Sequence, residues 1–357
     1  ASINGGAIGT KNLIINGAMQ VAQRATSATG NGYKTVDRFT SQGNGSQAVT
    51  QSQDTDVPAG QGFPKSLKFD CTTANASPSA GNYLAITHRI EAQDLQHISN
   101  GNSGAKKLTL SFWVKSPKTG NHAVGLYKQD STQRQNTKTY SVSSANTWEK
   151  KTITFDGDTS GGGIANDNGL GIQIDWHLLA GSNFTSVDST SWVNYSDAAW
   201  AYGHAVNVLD NTANNFYLTG VQLEIGSTAT DFEHRSYGDE LARCQRYYQK
   251  YKHGTYKGIN FIGRKSGSDT VVGSMYGFPP MRAAATGSVN NAGAYRLYRT
   301  TDATTHVPSS VTVTHENDVP YNVLKVTVES AGTFSTGNLC TMYNTSAAGE
   351  LELDAEL

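Results

Sequence analysis

The chain has 357 residues, 37% hydrophobic and only 16% charged, which suffices for a sizeable core and for two domains and excludes a disordered chain. Lys and Arg number 28 against 29 Asp and Glu, so a formal net charge of -1 offers no field to attract phosphate backbones or anionic membranes, and nucleic acid is not an expected partner. Thirty-seven glycines, 17 tyrosines and abundant Thr, Ser and Asn favour short strands and tight turns over helical bundles.

The first eleven residues are small and polar and read as a flexible tether. They lack the charged-then-apolar order of a signal peptide. Asn12 to Arg24, NLIINGAMQVAQR, reads as one or two strands interrupted by an Asn16-Gly17 turn. Alternation is clear in SLKFDC (Leu67, Phe69, Cys71 on one face), in YLAITHRI (Leu84, Ile86, Ile90) and in KLTLSFWVKS, where Leu108, Leu110, Phe112 and Val114 share a face and leave Trp113 on the other. AVGLY, WEKKTITF, LGIQIDW and FYLTGVQLEI continue the series; in LGIQIDW the inward set is Leu170, Ile172, Ile174 and Trp176. About eight strands with period-2 patterning over residues 12–235 predict a two-sheet jelly-roll β-sandwich.

DELARCQRYYQKY departs from this pattern. Tyr237, Leu241, Cys244, Tyr248 and Tyr251 are spaced 4, 3, 4, 3, which predicts one stripe of a linking helix over residues 236–253. Ser236 would be its N-cap, with Asp239 three residues on, Lys250 and Lys252 in the last turn and Gly254 as the stop. Such a stripe packs either on its own jelly roll or around a threefold axis with its copies. From residue 254 onward strands resume in a small C-terminal β domain over 254–357, with expected strands GTYKGINFIG, TVVGSMYGF, AYRLYRT, SSVTVTHE, YNVLKVTVES, NLCTMYN and GELELDAEL. The last of these alternates Glu350, Glu352 and Asp354 with Leu351 and Leu353, as a half-buried strand does.

No apolar run approaches the roughly 20 residues of a membrane span, so membrane insertion is not expected. Cys71, Cys244 and Cys340 are far apart and odd in number, which indicates reduced thiols made in a cytosol and neither a disulfide framework nor a zinc site. None of the nine histidines forms HxxxH or HExxH, and no GxSxG elbow or phosphate loop appears, so no catalytic residues are assigned and a non-enzymatic protein is expected. A glycosidase pair of carboxylates has no linear spacing by which it could be read.

Sugar-binding surfaces need flat aromatic faces with polar groups to fix the hydroxyls. The best stretch is NFTSVDSTSWVNYSDAAWAYGHA, which carries Phe184, Trp192, Tyr195, Trp200 and Tyr202 among Asp188, Asn194, Asp197 and His204. These aromatics either fold back onto the sandwich or face a glycan or partner. Trp113, outside its strand's apolar set, is either a platform or covered by a crossing loop, and Tyr127 and Trp148 lie at strand ends. No cofactor is expected. A structural Ca²⁺ would draw on Asp156 and Asp158 in FDGDTSGGG, or on Asp54 and Asp56, although both stretches also read as solvated turn acids.

Six blocks, in order and over nearly the whole chain, carry a resemblance. They are NLIINGAMQVAQR, DRF (Asp37 to Phe39), LTLSFWVKS, FYLTGVQLEIGSTATDFEHRSYGDELARCQRYYQKY, FPPMRAAAT (Phe278 to Thr286) and the terminal DAEL. The chain resembles bacteriophage tail fibre and related virion appendage proteins, and GVQLE followed by ELARCQRYY is the most specific match. The resemblance implies a jelly roll similar to carbohydrate-binding modules, the linking helix and a small C-terminal β domain, in a homotrimer made in the host cytoplasm and carried on the virion. It implies a structural protein, either a tail fibre or receptor-binding component presenting a host-glycan-binding surface, or a capsid decoration or head fibre docked through residues 1–11 on another virion protein. A polysaccharide depolymerase is the enzymatic alternative.

Overall fold

A computed structural model describes residues 2–3, 6–7, 11–252, 257–266, 270–275, 279–300, 305–316, 323–329, 338–345 and 349–357. The protein is mostly β and divides into two units, Ala1–Glu240 with Leu357, and Leu241–Glu356. Among the described residues, no helix is long and apolar enough to cross a membrane, and Cys71, Cys244 and Cys340 are buried and form no disulfide.

The first unit opens with the short pair β1 (Ser2–Ile3) and β2 (Gly6–Ala7); the rest of the expected tether, apart from Lys11, lies outside the described residues. Twelve further strands follow: β3 (Ser27–Thr29), β4 (Phe39–Asn44), β5 (Ala48–Asp54), β6 (Ser66–Thr73), β7 (Tyr83–Glu91), β8 (Leu108–Lys115), β9 (Gly120–Lys128), β10 (Arg134–Val142), β11 (Glu149–Phe155), β12 (Leu170–Ala180), β13 (Val193–Asn194) and β14 (Asn215–Ile225). They form two six-stranded antiparallel sheets, ordered β13-β10-β9-β12-β7-β4 and β11-β8-β14-β6-β5-β3. This is the expected jelly-roll sandwich. The inner faces meet through the alternating apolar sets, with Phe112 of the second sheet 5.1 Å from Tyr140 and 6.0 Å from Trp176 of the first, ring centre to ring centre. Leu110, Phe112, Val114, Ile172, Ile174, Trp176, Phe216 and Leu218 are fully buried in that core.

Asn12 to Arg24 contains no strand, contrary to the expectation. Its polar side chains bind backbone within and beyond the segment: Asn12 Nδ2 donates to the Val221 carbonyl, Asn16 Nδ2 to the carbonyls of Val21 and Asp37, and Asn16 itself sits at φ 62° in a turn closed by Met19 N–H to Asn16 O. A ladder would have used those backbone groups. Side-chain bonds from Asn compete with regular pairing, and the segment becomes a pinned irregular strap.

The helix α1 runs from Tyr237 to Gln245 and spans the boundary between the units. Ser236 caps it as expected, with Oγ accepting from Asp239 N–H at 3.2 Å and donating to Asp239 Oδ2 at 2.7 Å. It is half the predicted length. Tyr248 and Tyr251 lie in a strand, β15 (Tyr248–Lys252), so the 4, 3, 4, 3 stripe joins two different elements. Tyr237 is 56% exposed, Leu241 is half-buried and Cys244 is fully buried. From Tyr247 the side chains are β-prone, and β24 offers an edge of matching charge, which outweighs continued helix. Gly254, the expected stop, lies outside the described residues.

In the second unit β15 is joined by β16 (Lys257–Lys265), β17 (Thr270–Met275), β18 (Thr286–Asn290), β19 (Tyr295–Arg299), β20 (Thr305–His306), β21 (Ser310–Glu316), β22 (Val323–Glu329), β23 (Leu339–Asn344) and β24 (Glu350–Asp354). They make one antiparallel ten-stranded sheet, ordered β15-β24-β18-β21-β22-β17-β16-β23-β19-β20. The sheet curls around Phe261, Tyr295, Leu297, Val326, Val328, Cys340, Leu351 and Leu353. Lys250 on β15 binds Glu350 at 2.8 Å and Glu352 at 2.9 Å across the β15–β24 ladder.

Candidate functional site

On β12 the alternation that buries Ile172, Ile174 and Trp176 sends Gln173 and Asp175 to the opposite, outer face of the first sheet. Pairing then sets their neighbours. Asp175 lies opposite Thr87 of β7 and Gly125 of β9, and Gln173 lies opposite Arg89 of β7 and Tyr127 of β9, while β4 brings Gln42 in from beyond β7.

The connection from β12 to β14 folds over this face and is tied down along its length. Thr137 N–H donates to Ser189 O at 2.8 Å, Thr137 Oγ1 to Trp200 O at 3.1 Å, Gln135 Nε2 to Ser196 O at 3.0 Å, and Ala201 N–H to Phe184 O at 2.8 Å. Gly125 permits the close passage at Trp200, since a Cβ there would stand 3.0 Å from Thr137 Oγ1 and 3.6 Å from the Trp200 carbonyl oxygen. So a long connection becomes a fixed wall.

Between wall and sheet lies a cleft of about 380 Å³, lined by Gln42, Tyr83, Tyr127, Gln173, Phe184, Tyr195, Asp197 and Trp200. Its aromatics form two groups. Tyr127 and Tyr195 meet edge to face at 5.1 Å; Tyr83, Phe184 and Trp200 meet one another at 5.1 to 5.7 Å. Asp175 is fully buried beneath, where its carboxylate accepts from Thr87 Oγ1 at 2.6 Å, Gln42 Nε2 at 3.2 Å, Gln173 Nε2 at 2.9 Å and Trp200 Nε1 at 2.9 Å. Burial pushes its pKa up, and the bonds from Gln173, Thr87 and Trp200 pull against that rise. Tyr195 donates its hydroxyl to Asp197 Oδ1 at 2.7 Å, and burial and then that bond raise the phenol's pKa; burial and the nearby Asp175 raise that of Tyr127. Both phenols therefore stay protonated at neutral pH, with the Tyr195 proton given to Asp197 and the Tyr127 proton to Gln129 Oε1 at 2.7 Å, and each oxygen keeps acceptor capacity.

The arrangement can hold a polyhydroxylated ring system: aromatic faces for C–H surfaces, and amides, phenols and one exposed carboxylate for hydroxyls. Of the two carboxyl groups at the site, Asp175 is sealed below the surface by four donors and Asp197 accepts from Tyr195.

Of the residues singled out from the aromatic stretch, Phe184, Tyr195, Asp197 and Trp200 reach the cleft. Trp192 does not: it packs against the sandwich core and donates Nε1 to Asp156 O at 2.6 Å. Tyr202 is half-buried outside the lining, its N–H turned back to Ala199 O. Trp113 is half-buried on the other sheet; it crowds with Phe63 over Gly220, where a Cβ would fall 2.6 Å from the Phe63 ring and 3.0 Å from Trp113. Asp156 pairs with Lys107 at 2.7 Å, buried Asp158 accepts from Arg134 Nε at 3.0 Å, and Asp56 binds Lys115 and Trp148, so each of these acids faces a cation or donor of the protein itself. Among the described residues no group of three or more His, Cys, Asp or Glu side chains is placed to hold a metal ion.

Gln42, Tyr83, Gln173 and Asp175 were missed from sequence, and Tyr127 was noted only as a strand end. They sit on four strands, and only the sheet order unites them. One signal was present: Asp175 stands between Ile174 and Trp176 in a strand whose inward set is apolar, which marks a carboxylate on a half-buried face.

No family model and no curated protein matches the chain. Among solved structures, the enzymatically active domain of tailspike protein 4 from bacteriophage CBA120 is similar at 13% identity and a TM-score of 0.32, over 60% of this chain and 21% of that one. A putative sugar-binding protein from Bacteroides thetaiotaomicron is similar at 12% identity and 0.31, over 60% of this chain and all of that one. The family 11 carbohydrate-binding module of a Clostridium thermocellum cellulosomal cellulase is similar at 13% identity and 0.28, over 59% and 98%.

Proposed function

We propose that the first unit is a non-catalytic glycan-binding module, and that the protein is a phage virion appendage, a tail fibre or receptor-binding component whose cleft engages a host surface glycan. The observation that carries the binding reading is the cleft itself, where Tyr127 with Tyr195 and Tyr83 with Trp200 flank a floor of Gln42, Gln173 and the buried Asp175. Its volume of about 380 Å³ falls within the roughly 300–1,000 Å³ of ligand clefts. A sugar ring stacks its C–H surface on a tyrosine face while the glutamine amides and Asp197 take hydroxyls in place of water. Because the wall is already bonded to the sheet, little ordering entropy opposes binding. The virion assignment rests on the ordered sequence blocks, of which ELARCQRYY is the most specific, and it carries with it the homotrimer and the virion partners.

The test is binding of the purified full chain to an array of bacterial surface polysaccharides and plant and microbial oligosaccharides, beside a Tyr127→Ala/Tyr195→Ala variant. Retention of one or more glycans by the wild type and loss by the variant is the expected result. No retention across the array, or equal retention by the variant, overturns the assignment of the cleft. Release of reducing ends would overturn the non-catalytic reading.

A further inference from the structure

We infer that this cleft selects uncharged oligosaccharides and rejects chains bearing carboxylate, sulfate or phosphate on the sugars it covers. The inference deepens the glycan-binding reading and rests on it. Among the described residues no lysine, arginine or histidine lines the cleft. The one formal charge in the lining is the carboxylate of Asp197, which is exposed, and a second carboxylate, Asp175, lies directly under the floor. Two further groups beside the site bear on its charge. Arg89 lies next to the floor on β7 but outside the lining, with Nε donating to Gln173 Oε1 at 2.8 Å. His177 stands against the back of Trp200, ring centres 4.6 Å apart, and burial keeps it neutral down to about pH 3.

Recognition of an anionic sugar needs a charge-assisted donor, most often a guanidinium fork, to replace the hydration it loses. Here the approaching anion would lose that hydration and meet Asp197 instead. Like charge without a compensating cation in the lining is the repulsive element that turns a sugar cleft into a selective one. The amides of Gln42 and Gln173 and the phenols of Tyr127 and Tyr195 are neutral and suit hydroxyl groups.

The test uses the full chain in calorimetric titrations against oligosaccharide pairs that differ only at C6, β-1,4-glucan against β-1,4-glucuronan and β-1,4-mannan against β-1,4-mannuronan, and against any polysaccharide the array returns together with its carboxyl-reduced form. The neutral member of the pair that binds should bind at least about tenfold more tightly, a difference of about 1.4 kcal/mol. Its Kd should hold between about 0.05 and 0.5 M salt, because no ion pair is there to be screened. Asp197→Asn, which keeps an acceptor for Tyr195, should narrow the gap by admitting the charged member. Equal or tighter binding of the charged member overturns this inference while leaving glycan binding intact, as does a gap that Asp197→Asn leaves untouched. Binding to none of these or the array overturns the glycan reading itself.

Discussion

The indole N–H of Trp200 donates to Asp175 Oδ2 at 2.9 Å, so one bond fastens the connection that walls the cleft to the sheet that floors it. Both residues are buried, and Asp175 gathers three other donors from β4, β7 and β12. A carboxylate in that position ties wall and floor together from below the surface. Trp200→Phe keeps most of the ring and removes the donor, which should cost about 1–3 kcal/mol and loosen the wall. Asp175→Ala, which strands four donors at once, should cost more. Urea unfolding followed by tryptophan fluorescence reads the first unit alone, because all five tryptophans, residues 113, 148, 176, 192 and 200, lie in it. Wild-type midpoints in both variants would show that the bond fastens nothing.

Trp192 and Tyr195 stand three residues apart and should behave in opposite ways. Trp192 packs on the core and bonds Asp156, so Trp192→Ala should lower stability by about 2–4 kcal/mol and leave glycan affinity of the folded fraction unchanged. Tyr195 is 39% exposed in the cleft, so Tyr195→Ala should cost little stability and weaken binding about tenfold or more. Parallel melting curves and titrations separate the two. Loss of binding in Trp192→Ala with its stability intact would move the site from the cleft to the far end of the loop.

Much of the sandwich was legible because its central strands KLTLSFWVKS, LGIQIDW and FYLTGVQLEI alternate apolar with mostly polar side chains, with one change of parity at Gly220 in the last, although the polar sets are largely buried as well. FTSQGN, AVTQSQD and RQNTKTYSV also form strands, yet they carry few apolar side chains, and partners rather than their own pattern hold them in the sheets. The helix was overextended for a related reason. Tyr248 and Tyr251 fit a helical stripe by spacing, whereas their tendency to pair was visible only once β24 lay alongside. Of the cleft, the aromatic loop announced itself by composition. The floor did not, since Gln42, Tyr83 and Gln173 become neighbours through strand order, which no linear spacing encodes.

In the second unit the ladder of β15 and β24 offers its own test. Lys250 is 11% exposed between Glu350 at 16% and Glu352 at 33%; burial lowers the lysine's pKa, and the bonds it donates to both acids outweigh that and raise it. Lys250→Met leaves two partly buried carboxylates facing each other and should cost about 1–3 kcal/mol. Hydrogen exchange is the suitable readout, with faster exchange over 248–252 and 350–354 expected and none in the sandwich. Unchanged protection of both strands would mean that apolar packing of Leu351 and Leu353 alone holds this edge.

Acid should weaken the first unit well above the carboxylate range. Burial depresses His177 to about 3, lowers His122 against the Lys118 carbonyl bond, and drives His88 and His204 well down, with Arg38 adding to the effect at His88 and the two neighbouring histidines at His204. In each case the unfolded chain, with a value near 6.5, takes up a proton that the native state refuses. The stabilisation is therefore whole above about pH 6.5 and is lost as pH falls from there toward 3, by up to about 1.4 kcal/mol per pH unit for each histidine. Asp175 acts in the opposite sense, because its raised value lets the native state hold a proton that the unfolded chain releases. One such group offsets one of the four histidines at most. Urea midpoints of the first unit should fall steadily between pH 7 and 5, and His177→Gln should shallow that slope by about one proton while keeping the ring-sized contact with Trp200 partly filled. A midpoint flat across this window would mean that the buried imidazoles find proton acceptors on charging, and that the interior around His122, His177 and His204 reorganises more readily than its packing suggests.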